Sequence, residues 1–369
     1  MVTLVSTALA GPITNSSAFE PAISADGRHV VFRSGATNLI TGDTNNAPDV
    51  FWRDMDNNLL ERVNPGSGNV QATGAGGTAV SFPTVCNDGN LIAYASGFSN
   101  LVVGDTNARR DIFVRNRGGA STTRVSVDSV GVEANGNSEF PVISANGRYV
   151  VFTTLASNLV AEDTGLLQKV IRHDRQTGAT ELVSIGLAGA VANNGSFFSA
   201  ISADGSLTAF SSAASNLLSG DSNARDDIFV RDMSSGVTSR VSVDSQGVQG
   251  NGNCAAPSIS ADGRYVSLLS NASNLVPGDN KSRNDIFLHD RQSGQTTRVS
   301  VDPQGRQVQT TTAINQSAQS SPDGAVVAID TSATAFDLVS GAAGSFRDIL
   351  RIGNPKPLFG QSTLRIGAV

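Results

Sequence analysis

Lysine is almost missing from this chain: of its 26 basic residues only Lys169, Lys281 and Lys356 are lysine, and the rest are arginine. Against 32 acidic residues this leaves a net charge of −6, so nothing in the charge favours nucleic acid or an anionic membrane surface. Cysteine is scarce as well. Cys86 and Cys254 alone exclude a disulfide framework and a cysteine-based zinc site. A single tryptophan, Trp52, and three tyrosines leave little for repeated sugar-stacking platforms. No apolar run reaches the ~18 residues of a membrane span. Residues Met1 to Gly11 (MVTLVSTALAG) end in small residues like a cleavage site, but the basic stretch and longer apolar core of a signal peptide are absent.

Small residues are what the chain has in quantity. Glycine contributes 38 of 369 residues, and charged residues are 16% against a usual ~25%. Length alone predicts two or three domains at ~150 residues each. A repeat replaces that count. The phrase I-S-A-D-G-R recurs with its Asp or Asn at Asp26, Asp88, Asn146, Asp204, Asp262 and Asp323, at intervals of 62, 58, 58, 58 and 61. A second anchor, the residue before an apolar triplet, falls at Asp49, Asp111, Lys169, Asp227, Asp285 and Asp348. Its offset from the first is 23 in five copies and 25 in the sixth, so the six copies are true repeats.

Each copy holds four short stretches with strand character. In the fourth these are Ser199 to Ser202, Leu207 to Ser211, Asp227 to Arg231 and Ser239 to Val243, each bounded by Gly, Asp, Asn or Ser. No window carries a helical period. A four-stranded unit cannot cover both of its faces, so neighbouring units must cover it. The expected fold is all-β: one domain over residues 1–369, a six-bladed β-propeller of four-stranded antiparallel blades. Val2 to Ser6 (VTLVS) matches the fourth strands Thr123 to Ser126 and Thr297 to Ser300, so the N-terminus is expected to close the ring as the outer strand of the last blade. Residues 354–369, with Thr363 to Val369, compete for that edge or form a tail.

The blades carry Ser202-Ala203-Asp204-Gly205 after the inner strand, Asp227 to Val230 as third strand, and a turn such as Gln176-Thr177-Gly178. In these motifs the chain resembles the TolB-like, WD-repeat-like bacterial β-propellers over nearly all of residues 1–353. The resemblance implies the fold and an extracytoplasmic bacterial protein, periplasmic or secreted; Met1 abutting a strand then reads as a chain whose leader has been removed. It does not choose among binding modules, accessory domains of peptidases and lyases.

Within a blade the first-to-second and third-to-fourth turns are tight, as at Asp26-Gly27 and Thr177-Gly178. The other two connections are long and leave on the opposite face, as in Ser99 to Arg110 and Asp128 to Asn137. That face is the expected binding surface. The recurrent Leu39, Leu101, Leu159, Leu217, Leu275 and Leu338 read as buried pegs of its loops.

The motif G-D-T-N-x-x-x-D-I-F is the candidate for chemistry. Full copies place Asp43, Asn45 and Asp49; Asp105, Asn107 and Asp111; and Asp221, Asn223 and Asp227. Oxygen side chains at this spacing can converge on a hard cation such as Ca²⁺. They equally cap turns by accepting backbone N–H groups. Lys281 replaces the Asn in the fifth copy, Gly165 and Lys169 accompany Asp163 in the third, and Ala342 replaces the first Asp in the sixth, so no metal serves all six.

His29, His173 and His289 fall in blades one, three and five, on strands, and are expected to be surface or half-buried rather than a three-His metal site. Ser24, Ser144, Ser202 and Ser260 fall at the repeated turn, and no G-x-S-x-G elbow is present. Both cysteines are expected to be small buried thiols. Arg62, Arg124, Arg240 and Arg298, with Leu182 in the third copy, recur on fourth strands and are expected to pair with acids or keep an edge soluble. No catalytic residue is assigned. The function expected is a monomeric binding module for a protein or cell-envelope ligand, with no nucleic acid and no membrane span. The alternatives are a lyase or hydrolase with its site at the channel mouth, and a calcium-dependent adhesin or glycan-binding propeller.

Overall fold

The computed structural model describes residues 5–7, 14–73, 80–161, 165, 167–279, 283–301, 307, 314–320, 323, 326–331 and 348–353. Its short β-branched and aromatic runs form strands that pair with their sequence neighbours. The first sheet is β1 (Ala18–Ile23), β2 (His29–Ser34), β3 (Asp49–Asp54) and β4 (Leu59–Arg62). The second is β5 (Ser81–Val85), β6 (Leu91–Ser96), β7 (Asp111–Asn116) and β8 (Ser121–Arg124), and the third β9 (Ser138–Ile143), β10 (Tyr149–Thr154), β11 (Lys169–Asp174) and β12 (Thr180–Leu182). The fourth runs through β13 (Ser196–Ile201), β14 (Leu207–Ser212), β15 (Asp227–Asp232) and β16 (Val237–Arg240). The fifth follows as β17 (Cys254–Ile259), β18 (Tyr265–Ser270), β19 (Asp285–Asp290) and β20 (Gln295–Arg298). A three-stranded sheet of β21 (Ile314–Ser320), β22 (Val326–Thr331) and β23 (Asp348–Gly353) completes the set.

All pairings are antiparallel between consecutive strands, and no α-helix occurs among the described residues. The expected fourth-copy strands are present with two displacements: the first lies at Ser196–Ile201 and the last at Val237–Arg240, because beyond Val241 the chain leaves the third strand and Val243 bridges Gln249. The chain forms two compact units, Met1–Val191 and Ala192–Val369. Within the first, β5 packs on β1 and β9 on β5; within the second, β17 packs on β13 and β21 on β17. The sheets of each unit thus meet at their first strands.

The turn motif explains itself in the fourth sheet. Ser202 Oγ donates to Asp204 Oδ1 at 2.7 Å and accepts the Leu207 N–H at 3.0 Å, while Asp204 Oδ1 also accepts the Ser206 N–H at 3.0 Å. These serines are turn residues, as expected. Third strands are the most deeply covered: every residue of β3, β11 and β19 is buried. Cores form between adjacent sheets. Ile112, Val114 and Val125 of the second sheet pack with Val150, Phe152, Leu159 and Ile171 of the third, and Val230 and Val241 pack with Val266, Leu268, Leu275 and Phe287. Leu39, Leu101, Leu159, Leu217 and Leu275 are all buried, which bears out the peg reading; Leu338 lies outside the described residues.

Val2 to Leu4 and residues 354–369 also lie outside the described residues. Val5, however, packs against Val30, Phe32, Ala36, Leu39 and Phe51. Each of the first five first strands carries a bulge, as between Ser81 and Thr84 or Phe197 and Ser199. At each of these bulges one residue that is not glycine has a left-handed backbone: Glu20, Phe82, Phe140, Phe198 or Ala256.

The long connections press closely on one another. A Cβ at Gly136 would meet Ala156 N and Leu155 C, both at 2.7 Å. At Gly178, φ +79°, a Cβ would find open space. Gly136→Ala is expected to cost about 2–3 kcal/mol by displacing backbone, and Gly178→Ala about 1 kcal/mol from its left-handed φ alone. Urea unfolding of the two variants checks the order.

Candidate functional site

The acid motif and the fourth-strand arginines are one device. In the second sheet Arg124 Nη1 lies 3.3 Å from Asp105 Oδ1, 3.6 Å from Asp111 Oδ2 and 2.7 Å from Glu133 Oε2. Arg62 Nη1 stands 3.8 Å from Asp43 and 3.4 Å from Asp49. Arg240 Nη1 is 3.2 Å from both Asp221 and Asp227, and Arg298 Nη1 is 3.5 Å from Asp279 and 3.9 Å from Asp285. The aspartate that opens the third strand is fastened from its other oxygen too. Ser126, Ser242 and Ser300 donate to Asp111, Asp227 and Asp285 at 2.5 to 2.6 Å and accept the N–H of the next residue; Asn64 does both for Asp49.

The asparagines of the motif stitch the two long connections together. Asn107 Nδ2 donates to Asp111 and to the Ala134 carbonyl, both at 2.9 Å, and Asn223 does the same to Asp227 and Gly250. Asn45 reaches the Ala72 carbonyl at 3.1 Å. Their Oδ1 atoms accept the N–H two residues on, which is the turn-capping geometry. A second stitch joins Asn135 to Ser157 and Asn158, repeated by Asn193 with Ser215 and Asn216 and by Asn251 with Ser273 and Asn274.

A fourth member was not legible from the motif itself. Gln71, Glu133, Gln249 and Gln307 hold one repeat position, and Gln307 Nε2 donates to Asp279 and Asp285 at 2.8 and 2.9 Å. The third sheet shows that the members belong together. There Lys169 replaces the aspartate, Leu182 the arginine and Val191 the glutamine. Lys169 Nζ turns its charge onto the Ala156 and Gly165 carbonyls, at 2.9 Å each. Burying a lysine beside an arginine would leave two unbalanced cations, so the sites change as a set.

Nine residues were candidate Ca²⁺ ligands, with turn capping the other reading: Asp43, Asn45, Asp49, Asp105, Asn107, Asp111, Asp221, Asn223 and Asp227. In each trio the two aspartates lie beside the guanidinium of Arg62, Arg124 or Arg240, Asn107 and Asn223 donate to the second of them, and Asn45 turns to the Ala72 carbonyl. Among the described residues no three His, Cys, Asp or Glu are disposed to hold a metal ion. Burial raises the carboxyls of Asp49, Asp111, Asp221 and Asp285. Asp105, buried and facing Asp111 as well as Arg124, is pushed up to about 6.

All three histidines depart from expectation, because His29, like His173 and His289, is buried; His173 and His289 share one arrangement. Thr180 Oγ1 donates to the Val127 carbonyl at 2.7 Å and therefore accepts from His173 Nδ1 at 2.8 Å; Thr296 repeats this with Val243 and His289. The histidines thus anchor a tie from β12 to the connection after β8, and from β20 to the connection after β16. Burial lowers both to about 4, so they are neutral. Cys86 and Cys254 are free and buried, with burial raising the thiols to about 11 and 12.

The tight-turn face has its own pairs. Arg148 grips Asp174 through two bonds of 3.0 and 2.7 Å, and Arg264 grips Asp290 through bonds of 2.9 and 2.8 Å, holding both carboxyls well below the usual range. A shallow cleft of about 350 Å³ lies there, lined by Asp262, Gly263, Arg264, Arg291 and Gln292. On the opposite face the tips of the long connections expose aliphatic side chains. Val103 is 90% and Val130 84% exposed, with Val132, Leu187 and Val248 about half exposed.

Antiparallel four-stranded sheets that meet at their first strands are the blades of a propeller, and solved structures agree. A β-propeller domain of the Trilobed protease from Pyrococcus furiosus aligns over 86% of this chain and 79% of its own at 10% identity, TM-score 0.50. The fold is a β-propeller. An oligogalacturonate lyase in complex with manganese aligns over 86% of this chain and 71% of its own, with 12% identity and TM-score 0.51. TolB from Acinetobacter baumannii aligns at 16% identity and TM-score 0.44 over 77% of this chain, which spans 54% of that protein. No family model and no curated protein matches the sequence.

Three outcomes follow from this propeller's loops. A cation would have to displace the arginine from each acid pair, so the melting temperature is expected not to change with millimolar calcium or with chelator. Lys169→Asp places an unpaired acid in a buried site and is expected to cost about 3 kcal/mol, most of it recovered by adding Leu182→Arg; a double-mutant cycle in urea measures the coupling. The histidines, depressed from 6.5 to about 4 in the fold, supply stability that is complete above pH 6.5 and lost as pH falls toward 4. That loss is expected to reach roughly 1–2 kcal/mol per histidine by about pH 5, and to vanish in the His173→Gln, His289→Gln double variant.

Proposed function

We propose that this propeller is a non-enzymatic binding module, and that its long-loop face receives a protein or cell-envelope ligand in the bacterial periplasm or secreted space. One observation carries the reading. The loops of that face are braced by arginine–aspartate and asparagine stitches, yet they hold Val103 and Val130 almost fully in water. Loops that only connect strands have no use for rigidly presented aliphatic tips, whereas an interface does, because ordering cost is met before the partner arrives. The arginine-bound acids are committed to the brace, which supports binding over lyase or hydrolase chemistry.

In this reading the chain is one domain of six blades, with the N-terminal strand completing the last. The support comes from Val5. Val125 packs on Val150, Phe152, Ala156, Leu159 and Ile171 of the following sheet, and Val241 on the matching Val266, Leu268, Ala272, Leu275 and Phe287. Val5 packs on the corresponding Val30, Phe32, Ala36, Leu39 and Phe51, a likeness to Val125 and Val241 that supports this closure.

Photo-crosslinking side chains placed singly at Val103, Val130 and Val248, and at Asn57 and Gln292 on the tight-turn face, test the face in cells of the source bacterium. Adducts are expected from the first three positions. Adducts from Asn57 and Gln292 alone would overturn the assignment.

A further inference from the structure

We infer that Arg175, on the tight-turn face of the third sheet, is the centre of a binding site for a carboxylate-bearing ligand. This site is separate from the long-loop face, and either can fail without the other. Four arginines of the tight-turn face are matched to acids: Arg28 to Asp54 at 3.1 Å, Arg117 to Glu61 at 2.7 Å, Arg148 to Asp174 at 2.7 Å and Arg264 to Asp290 at 2.8 Å. Arg175 and Arg291 differ. Both are half-buried, and each gives one Nη1 donor to a turn carbonyl at 2.6 Å, Arg175 to Gly147 and Arg291 to Gly263. Among the described residues their Nε and Nη2 atoms bond to nothing, and no carboxylate stands within ion-pair distance of either. Burial lowers the pKa of both guanidinium groups, because a half-buried charge has lost part of its hydration.

The two arginines share a frame and differ in the charge around them. In the fifth sheet Arg291 lines the cleft of about 350 Å³ with Asp262, Gly263, Arg264 and Gln292. The third sheet repeats these positions as Arg175 with Asn146, Gly147, Arg148 and Gln176. The frame bonds match: the Arg148 N–H donates to Asn146 Oδ1 and the Arg264 N–H to Asp262 Oδ1, both at 3.0 Å. The Arg175 N–H donates to the Arg148 carbonyl and the Arg291 N–H to the Arg264 carbonyl, both at 2.9 Å. Two acids attend Arg291. Asp262 keeps its second carboxylate oxygen unbonded, and the charge of Asp232 acts on the guanidinium. At the matching positions the third sheet's site has Asn146 and Asn116. Asn146 Oδ1 accepts the Ser144 hydroxyl and the Arg148 N–H, which leaves an Nδ2 donor in place of the Asp262 oxygen. Asp88, on the adjacent turn, is turned to Cys86 Sγ and the Asn90 N–H; Asp204 holds the same place beside the fifth sheet, so it does not separate the two. The Cys86 thiol, whose charge would reach Arg175, is pushed up to about 11 by burial and stays neutral.

That arrangement selects the ligand. A guanidinium with its Nε and Nη2 edge open offers two parallel N–H donors, which match the two oxygens of a carboxylate. Arg148 is already neutralised by Asp174, so the site holds one surplus positive charge. A monoanion balances that charge, whereas a phosphate dianion overshoots it. The exposed amides of Asn146 and Gln176 add neutral donors. The net charge of −6 acts weakly here, because exposed charges farther off than about 8 Å are screened at physiological salt. A polypeptide C-terminus and an acidic sugar both carry such a carboxylate, and the experiment separates them.

N-acetylalanine, glucuronate and inorganic phosphate are titrated into the isotope-labelled protein while the arginine Nε–H resonances are followed by NMR, with Arg175→Gln and Arg291→Gln assigning the two signals. Both carboxylates are expected to shift Arg175 saturably and to bind there at least about tenfold more tightly than at Arg291; the tighter of the two names the source. Asn146→Asp is expected to weaken binding about fivefold through like charge, and Asp232→Asn with Asp262→Asn to bring Arg291 within about threefold of Arg175. Arg175→Gln and Arg291→Gln give up the same carbonyl bond, so matching melting temperatures show that lost binding is not lost folding. Tighter binding of phosphate than of either carboxylate, an equal response at the two arginines, or no saturable shift at Arg175 overturns the site, while crosslinking at Val103 and Val130 still reports on the long-loop face.

Discussion

A sheet whose third strand is buried on both faces cannot be stable by itself, and the rest of this structure answers that constraint. Every residue of β3, β11 and β19 is covered, and the cover comes from the next sheet, as Val114 and Val125 meet Phe152 and Leu159. Burial of this kind is worth about 25 cal/mol per Å² of apolar surface, and it accrues only when a neighbour exists. Repetition is therefore a condition of stability. Val5 adds apolar cover to Val30, Phe32, Leu39 and Phe51 of the first unit by the same rule.

Covering the sheets leaves the long connections to be held, and polar groups do that. The aspartate that opens the third strand of four sheets, Asp49, Asp111, Asp227 or Asp285, is buried, so it must be bonded and balanced, and serine or asparagine, glutamine and arginine converge on it for that reason. The third sheet is instructive because it abandons the whole set at once. Lys169 donates to the Ala156 and Gly165 carbonyls, and the arginine and glutamine positions change with it to Leu182 and Val191, so the buried charge and its partners vary as a set. In the four sheets that keep the arginine, the acids of the motif lie beside its guanidinium.

The repeat, the four strands per unit, the turn roles of Ser202 and Asp204, the leucine pegs and the unequal faces were all legible, because each depends on local residue type at a fixed spacing. The partner of Arg124 was legible only as an acid of unknown position. Asp105, Asp111 and Glu133 lie up to nineteen residues before it and nine after it, and two long connections and the start of β7 bring them to one guanidinium. Glu133 belongs to no motif; aligning the copies column by column, with Lys169, Leu182 and Val191 changing together, is the signal that finds it. His173 and His289 were misplaced because β11 and β19 are covered on both faces, and nothing in R-H-D or L-H-D reveals how many faces a strand hides.

What the amino-acid order determined by itself was the period and its punctuation: where strands begin and end, and on which side the long loops leave. Those are short-range properties, set by glycine, aspartate and β-branched residues within a few positions of one another. What only the tertiary structure decided was which distant groups share a charge, and where the chain tolerates strain. Phe82 and Phe140 look like ordinary strand residues in sequence, since β-propensity favours phenylalanine. Their left-handed backbones and their meeting at 4.3 Å arise from bulges on two neighbouring sheets, a geometry that no single stretch of sequence contains.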